Sequence, residues 1–340
     1  MSRLPNARLQ VKVKWLAAAI ILLCIAACGR SKLASNAPCD NSLTREIPAR
    51  PNGAPDGKQF GRQIEGLSDD ERELLIRGEL LTGNIPDFLR RFVPVRFSAA
   101  QPDGHVAQIV VCAAPDYLAI GSDRDFLLMP MRLETALAMA IRFDFTLPTP
   151  KMVDGIYAQA AVHLAPQPLP AGDAMRSTEY YRHDSDLIRA QRLALGAVPG
   201  DLTAGDKKDL VLTNRLWGNL DRVAIYGWHL SDNSPIQPLS TVHGWRYADY
   251  SHGVRLISTR IWVDGVPRLI FDVLQDRQLS AALSHEGDIP NVVQLIRVLS
   301  ADPHTAVAAL TPDSQTNGFS SQTRSYGTLR ELGSNGVSGF

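Results

Sequence analysis

Apolar and polar positions along the chain fall into two regimes, helical periods in the first half and strand-like runs in the second. Ser68-Asp-Asp-Glu71 has the spacing of a capping box ahead of Leu74, Leu75 and Ile76. It predicts a helix over about 69–81. Asn84 offers a cap for a second short helix, Ile85 to Phe92. Val106 to Ala113 and Tyr117 to Ile120 read as strands turned by Ala114-Pro-Asp116, a hairpin. Leu133 to Phe143 reads as a helix, and Thr149-Pro150 caps and starts another that runs to about Val162. The proline-rich residues 164–182 read as loop, and Asp184 opens a helix that stops at Gly196.

Val, Ile, Leu and aromatic residues then concentrate in Asp209–Thr213, Arg222–Trp228, Val254–Val263 and Pro267–Val273. Val263-Asp-Gly-Val266 is a tight-hairpin signal. Two short helices, at 276–283 and 291–299, close the pattern. Helices first and strands later predict an α+β fold with a mainly antiparallel sheet.

The ends carry a different message. Arg3, Arg8, Lys12 and Lys14 precede the apolar run Trp15–Ala27, the layout of an export leader. The run is short of the ~20 residues of a comfortable membrane span. It ends in Ile25-Ala-Ala-Cys28, which resembles the bacterial lipobox. That resemblance implies lipidation of Cys28, a membrane anchor, and a domain facing the periplasm or the exterior. Gly29 in place of Asp implies the outer membrane where the host has one. The expected layout is a leader over 1–27, a flexible tether over 28–66, one α+β domain over 67–310 and a disordered tail over 311–340. The tether is expected because its composition is too polar to bury a core. Cys39 and Cys112 either pair, as an oxidising compartment allows, or Cys112 is a small buried hydrophobe. The chain has 35 basic and 35 acidic residues, with no basic block outside the leader, so nothing points to nucleic acid.

Candidate chemistry crowds into residues 207–255. Three of the eight histidines, His229, His243 and His252, lie there with Lys208, Trp228, Tyr247, Asp249 and Arg255. Each of these costs desolvation if buried without a partner. The stretch is therefore either a polar surface loop or a site. In a helical turn Asp249 and His252 are neighbours at i, i+3. Two chemistries stay open. His229 and His243, with Asp249 or His252, form a set that would hold zinc with an open position for water. Alternatively His243 and His252 work without metal as acid and base, oriented by Asp249, while Lys208 or Arg255 holds an anionic group. Trp228, Tyr247 and Arg255 are the expected substrate contacts, the aromatic rings by stacking on sugars.

His243-Gly244 followed by Ser251-His-Gly-Val-Arg255 resembles the end of the L,D-transpeptidase active site. That family has a cysteine after its Ser-His-Gly. None stands here, so thioester chemistry does not come with the resemblance. Thr241-Val-His243 with Ala248-Asp249 is similar to the zinc-ligand pattern of D-Ala-D-Ala carboxypeptidases, one residue short and without the later Glu-x-x-His. The stretch from Leu147-Pro-Thr-Pro150 through Tyr226-Gly-Trp-His229 to Tyr250–Arg255 resembles a group of exported bacterial proteins, a likeness that assigns no reaction. The expected function is a hydrolase acting on a cell-envelope or extracellular polymer, with a cell-wall glycan as candidate substrate. The alternative is a non-catalytic lipoprotein that binds or assembles the envelope.

Overall fold

In the computed structural model, which describes residues 38–301, the chain enters the fold at once. Cys39 forms a disulfide with Cys112, so the two cysteines do pair. Asp40 caps a 3-10 turn over Asn41–Thr44, and Asp56 caps α1 (Gly57–Gln63). Residues 38–66, expected as tether, instead bury Thr44, Ile47, Phe60 and Ile64. Arg50 sews the segment down by donating to Asn84 Oδ1 and to the carbonyls of Gly121, Ala54 and Pro55. A few inserted apolar side chains, one guanidinium and one covalent bond do here what a polar composition could not do alone. The leader, Cys28, the start of the tether and the tail beyond 310 lie outside the described residues.

α2 (Asp69–Leu81) begins at the predicted box, with Ser68 and Glu71 capping each other's backbone N–H. The helix expected after Asn84 is only a 3-10 turn, Asp87–Arg90. Asn84 does not cap it, because its amide is buried and donates to Pro55 and Glu79. β1 (Val93–Ala100) pairs antiparallel with β2 (Val106–Ala113) over its whole length. The hairpin expected after β2 does not form. β3 (Ala119–Gly121) pairs instead with β4 (Phe126–Leu128), while Ala114 and Leu118 donate to Leu256 and Val254.

α3 (Leu133–Arg142), β5 (Phe145–Thr146) and α4 (Pro150–Gln159) follow, α4 with Thr149 as cap and proline in its first turn. β6 (Val162–His163) precedes α5 (Thr178–Ala194). α5 is capped by Ser177 and starts at Thr178, well before Asp184, whose side chain is turned to Lys207 rather than to a helix end. β7 (Thr203–Ala204) lies parallel to β6. The remaining strands are β8 (Lys208–Leu210), β9 (Ile225–His229), β10 (Pro235–Ser240), β11 (His252–Gly253), β12 (Ile257–Ser258), β13 (Arg260–Val263) and β14 (Val266–Leu269). The long strand expected over 254–263 is thus broken into two. The expected 267–273 strand gives way at Ile270 to α6 (Ile270–Gln275), and α7 (Val292–Ser300) packs on α3. The helix expected over 276–283 is a single 3-10 turn, Ser280–Ala282.

Two sheets organise the α+β fold. The larger has the order β14-β13-β2-β12-β5, with β1 also on β2, and its pairings are antiparallel. The β13–β14 hairpin turns at Asp264 and Gly265, φ +51° and +78°, the two left-handed residues a primed turn requires. The smaller sheet, β10-β9-β8-β11, is antiparallel except for β8 against β11, and it carries the candidate chemistry. Among the described residues no helix is long and apolar enough to cross a membrane.

Candidate functional site

Three short strands bring the polar stretch together. Lys208 in β8 stands opposite His252 in β11 on one side and opposite Gly227 in β9 on the other. Gly253 is what lets β11 settle, since a Cβ there would come within 2.5 Å of the Tyr117 ring. Gly227 and Trp228 both have positive φ, +115° and +60°. A bulky residue held in that region costs on the order of 1–3 kcal/mol and persists only where its surroundings enforce it. Here Trp228 donates its backbone N–H to Lys207 and its indole N–H to Asp206. Its ring lies 4.7 Å from the Lys208 ammonium.

Asp249 is the hub. A tight turn lets its carbonyl accept from the His252 N–H, so the i, i+3 neighbourhood read from the spacing is present. Its buried carboxylate takes three hydrogen bonds. Oδ1 accepts from the Ser251 N–H at 2.8 Å and the Ser251 hydroxyl at 2.6 Å, and Oδ2 accepts from the Tyr247 hydroxyl at 3.0 Å. The Tyr247 ring stacks on His243, centroids 4.1 Å apart and planes 6° from parallel. His252 sits 5.7 Å from Tyr247 and 6.2 Å from His243. His243 and Tyr247 are half-buried, whereas His252 is 1 % exposed. Among the described residues neither ring nitrogen of His252 has a hydrogen-bond partner, and Nε2 stops 3.8 Å from Asp249 Oδ2.

The electrostatics follow from that burial. Desolvation brings His252 down to about 4, against the pull of Asp249. The 3.8 Å approach is therefore a carboxylate beside a neutral ring at neutral pH, not an ion pair. Burial also lowers His243, so it too is neutral and able to accept a proton. Burial works to raise Asp249, but His252, Ser251 and Lys208 together outweigh it and keep the carboxyl below its ordinary value. Burial, then Asp249, raises Tyr247, which stays protonated. His252 yields a direct prediction. Between pH 6.5 and 4 the unfolded chain binds a proton there that the folded chain does not. His252 therefore removes stability as pH falls through that window, by at most ~1.4 kcal/mol per unit. An NMR titration of its Cε1–H should show a midpoint near 4. A midpoint at 6 or above would contradict the buried, unpartnered ring.

The structure separates some residues that the spacing had grouped. Arg255 is buried, donating to the carbonyls of Ala114 and Thr203, with Asp209 3.9 Å away and the Tyr117 ring beneath it. It braces the sheet and is not placed to meet a substrate. Trp228 is likewise buried, one face under Lys208, and does not offer a stacking platform. His229 leaves the His243 group altogether. Its Nε2 meets Asp154 Oδ1 at 2.9 Å, and its ring stacks on Tyr157 at 4.6 Å. Asp154 also accepts from the Tyr226 hydroxyl at 2.8 Å and meets His285 Nε2 at 3.0 Å. So the zinc set of His229 and His243 is not assembled. Among the described residues no group of three or more His, Cys, Asp or Glu side chains is arranged to hold a metal ion.

Sequence reasoning missed this second cluster of Asp154, Tyr226, His229 and His285. Asp154 lies 75 residues from His229 and 131 from His285, and no local spacing announces such contacts. A surface cavity of about 430 Å³, bordered by His105, Asp264, Arg268 and Asp276, is built from neither cluster. No protein-family model, no curated protein and no solved structure matches the chain.

Proposed function

We propose that the chain is an exported, lipid-anchored hydrolase of a cell-envelope or extracellular polymer, working from the His243–Tyr247–Asp249–His252 cluster. The observation that carries the reading is the state of Asp249, a buried carboxylate that accepts from Ser251 and from Tyr247, whose ring in turn stacks on the neutral, half-buried His243. In the reaction, His243 takes a proton from a water whose oxygen adds to the scissile centre. It then returns that proton to the leaving oxygen or nitrogen. Asp249 supports the imidazolium formed between the two steps, the direction in which its charge acts on His243. Tyr247 holds the ring by stacking. The leader-like residues, the lipobox ending at Cys28 and a disulfide between Cys39 and Cys112 support export, since such bonds persist in oxidising compartments.

The full burial of His252 favours a second reading, a binding lipoprotein in which the cluster only shapes a recognition surface. One experiment separates the two. The purified mature chain is incubated with sacculi and with envelope polysaccharide, and soluble products are counted. We expect release by the wild type and a ~10²–10⁴-fold loss in His243→Ala, with the melting temperature within a few degrees. Undiminished release by His243→Ala ends the hydrolase reading. Saturable binding to sacculi without release by the wild type establishes the second one.

A further inference from the structure

We propose that Lys208 is the subsite for a carboxylate carried by the substrate, an inference that rests on the hydrolase reading of the same cluster. The other cations around the site are occupied. Lys207 is bonded to Asp184 and to the Tyr250 carbonyl. Arg255 is spent on Ala114, Thr203 and Asp209. At the surface Arg176 pairs with Asp69, and Arg246 with Asp70. Lys208 differs. Among the described residues its half-buried ammonium enters no ion pair and donates no hydrogen bond, and its contact is the Trp228 ring at 4.7 Å. Asp249 is near enough to be felt, but its oxygens already take three donors.

An ammonium drawn partly out of water without an acceptor is costly, and the tryptophan face recovers only part of that cost. An anionic oxygen group arriving beside His243 supplies the missing acceptor. The charge balance selects a monoanion. Among the described residues around the site one cation is free and no second unpaired cation stands by for a phosphate dianion, while both neighbouring histidines are neutral. Lys208 stands opposite His252, whose ring centroid lies 6.2 Å from that of His243, so a carboxylate held there would bring the adjoining bond of the polymer towards His243.

The probes are N-acetylglycine, its neutral amide and inorganic phosphate, titrated separately at pH 7.5 and followed by the NMR signals of His243 and Trp228. We expect saturable binding of N-acetylglycine, at least tenfold tighter than the amide. That preference should vanish in Lys208→Met and return largely in Lys208→Arg, with melting temperatures reported for both. Equal binding of acid and amide by the wild type, or no saturation by the acid, overturns the subsite without recourse to any variant. A preference surviving in Lys208→Met also overturns it, and phosphate binding tighter than N-acetylglycine overturns the monoanion assignment. Polymer cleavage that depends on His243 stands even if all these fail. Conversely, cleavage undiminished in His243→Ala ends the hydrolase reading and leaves the acid-over-amide preference as measured.

Discussion

Replacing Lys207 by methionine is expected to cost about 3–5 kcal/mol of folding stability, because it strands a buried carboxylate. Lys207 is 1 % exposed and Asp184, midway along α5, is 3 % exposed. Burial pushes the Asp184 carboxyl up, and Lys207 is the cation that opposes it. The pair is not needed for stability as such. A buried ion pair exchanged for well-packed apolar groups is often neutral or stabilising, whereas removing one partner is not. The double variant Lys207→Met/Asp184→Leu should therefore regain most or all of what the single variant loses. Urea midpoints at constant slope measure both. A single-variant loss below ~1 kcal/mol would show that Asp184 simply takes up a proton and that the pair is weak.

The same lysine bears on the site. Its second hydrogen bond goes to the carbonyl of Tyr250, inside the turn that joins Asp249 to His252. Losing that bond should loosen the turn and admit water to His252. In Lys207→Met the His252 midpoint should then rise from about 4 towards the ordinary histidine value. A stability loss without that rise would confine Lys207 to the scaffold.

What could be read from the chain was local. The Ser68–Glu71 box, Thr149-Pro150 and the Asp264-Gly265 turn each carry their whole cause within four residues, and each stands where expected. β1 was not among the expected strands, although its burial alternates, with Val95 and Ala99 buried between exposed Pro94, Arg96 and Ser98. Pro94 argues against a strand, but β1 takes a partner only in β2, where an edge proline is tolerated. Asp184 looked like a helix cap because caps are local, while its partner Lys207 is 23 residues away. The same divide runs through the site. Asp249 with His252 was visible as an i, i+3 pair. That Arg255 would be consumed by main-chain carbonyls was not, because Ala114 and Thr203 are brought to it only by the assembled strands. Residues 38–66 failed for a further reason. Composition measures how much apolar surface a segment owns, not what a guanidinium and a disulfide can fasten.

That disulfide carries the other large effect. Cys39 and Cys112 close a loop with a sequence separation of 73. On the loop-entropy account, opening such a loop costs about 4 kcal/mol, or roughly 8–16 °C of melting temperature in a domain of this size. Cys39→Ser and Cys112→Ser should each show that fall. Wild-type protein fully reduced under mild denaturant should match them, and a shift under ~2 °C with both thiols titrated free would contradict it. The bond also resets the geometry of anchoring. Lipid on Cys28, as proposed, leaves ten residues, eleven residue steps, before the chain is fastened at Cys39. A flexible stretch of that length spans about 17–20 Å on average, against ~30 Å for a tether reaching residue 66. On the proposed anchoring, a lipid at Cys28 would leave the domain a short reach, and the polymer open to His243 would be the layer next to the membrane. Lengthening the stretch ahead of Cys39 by twenty Gly-Ser residues should raise cleavage of sacculi by cells carrying the protein, if the short leash limits reach. Unchanged cleavage would place the substrate already at the membrane face.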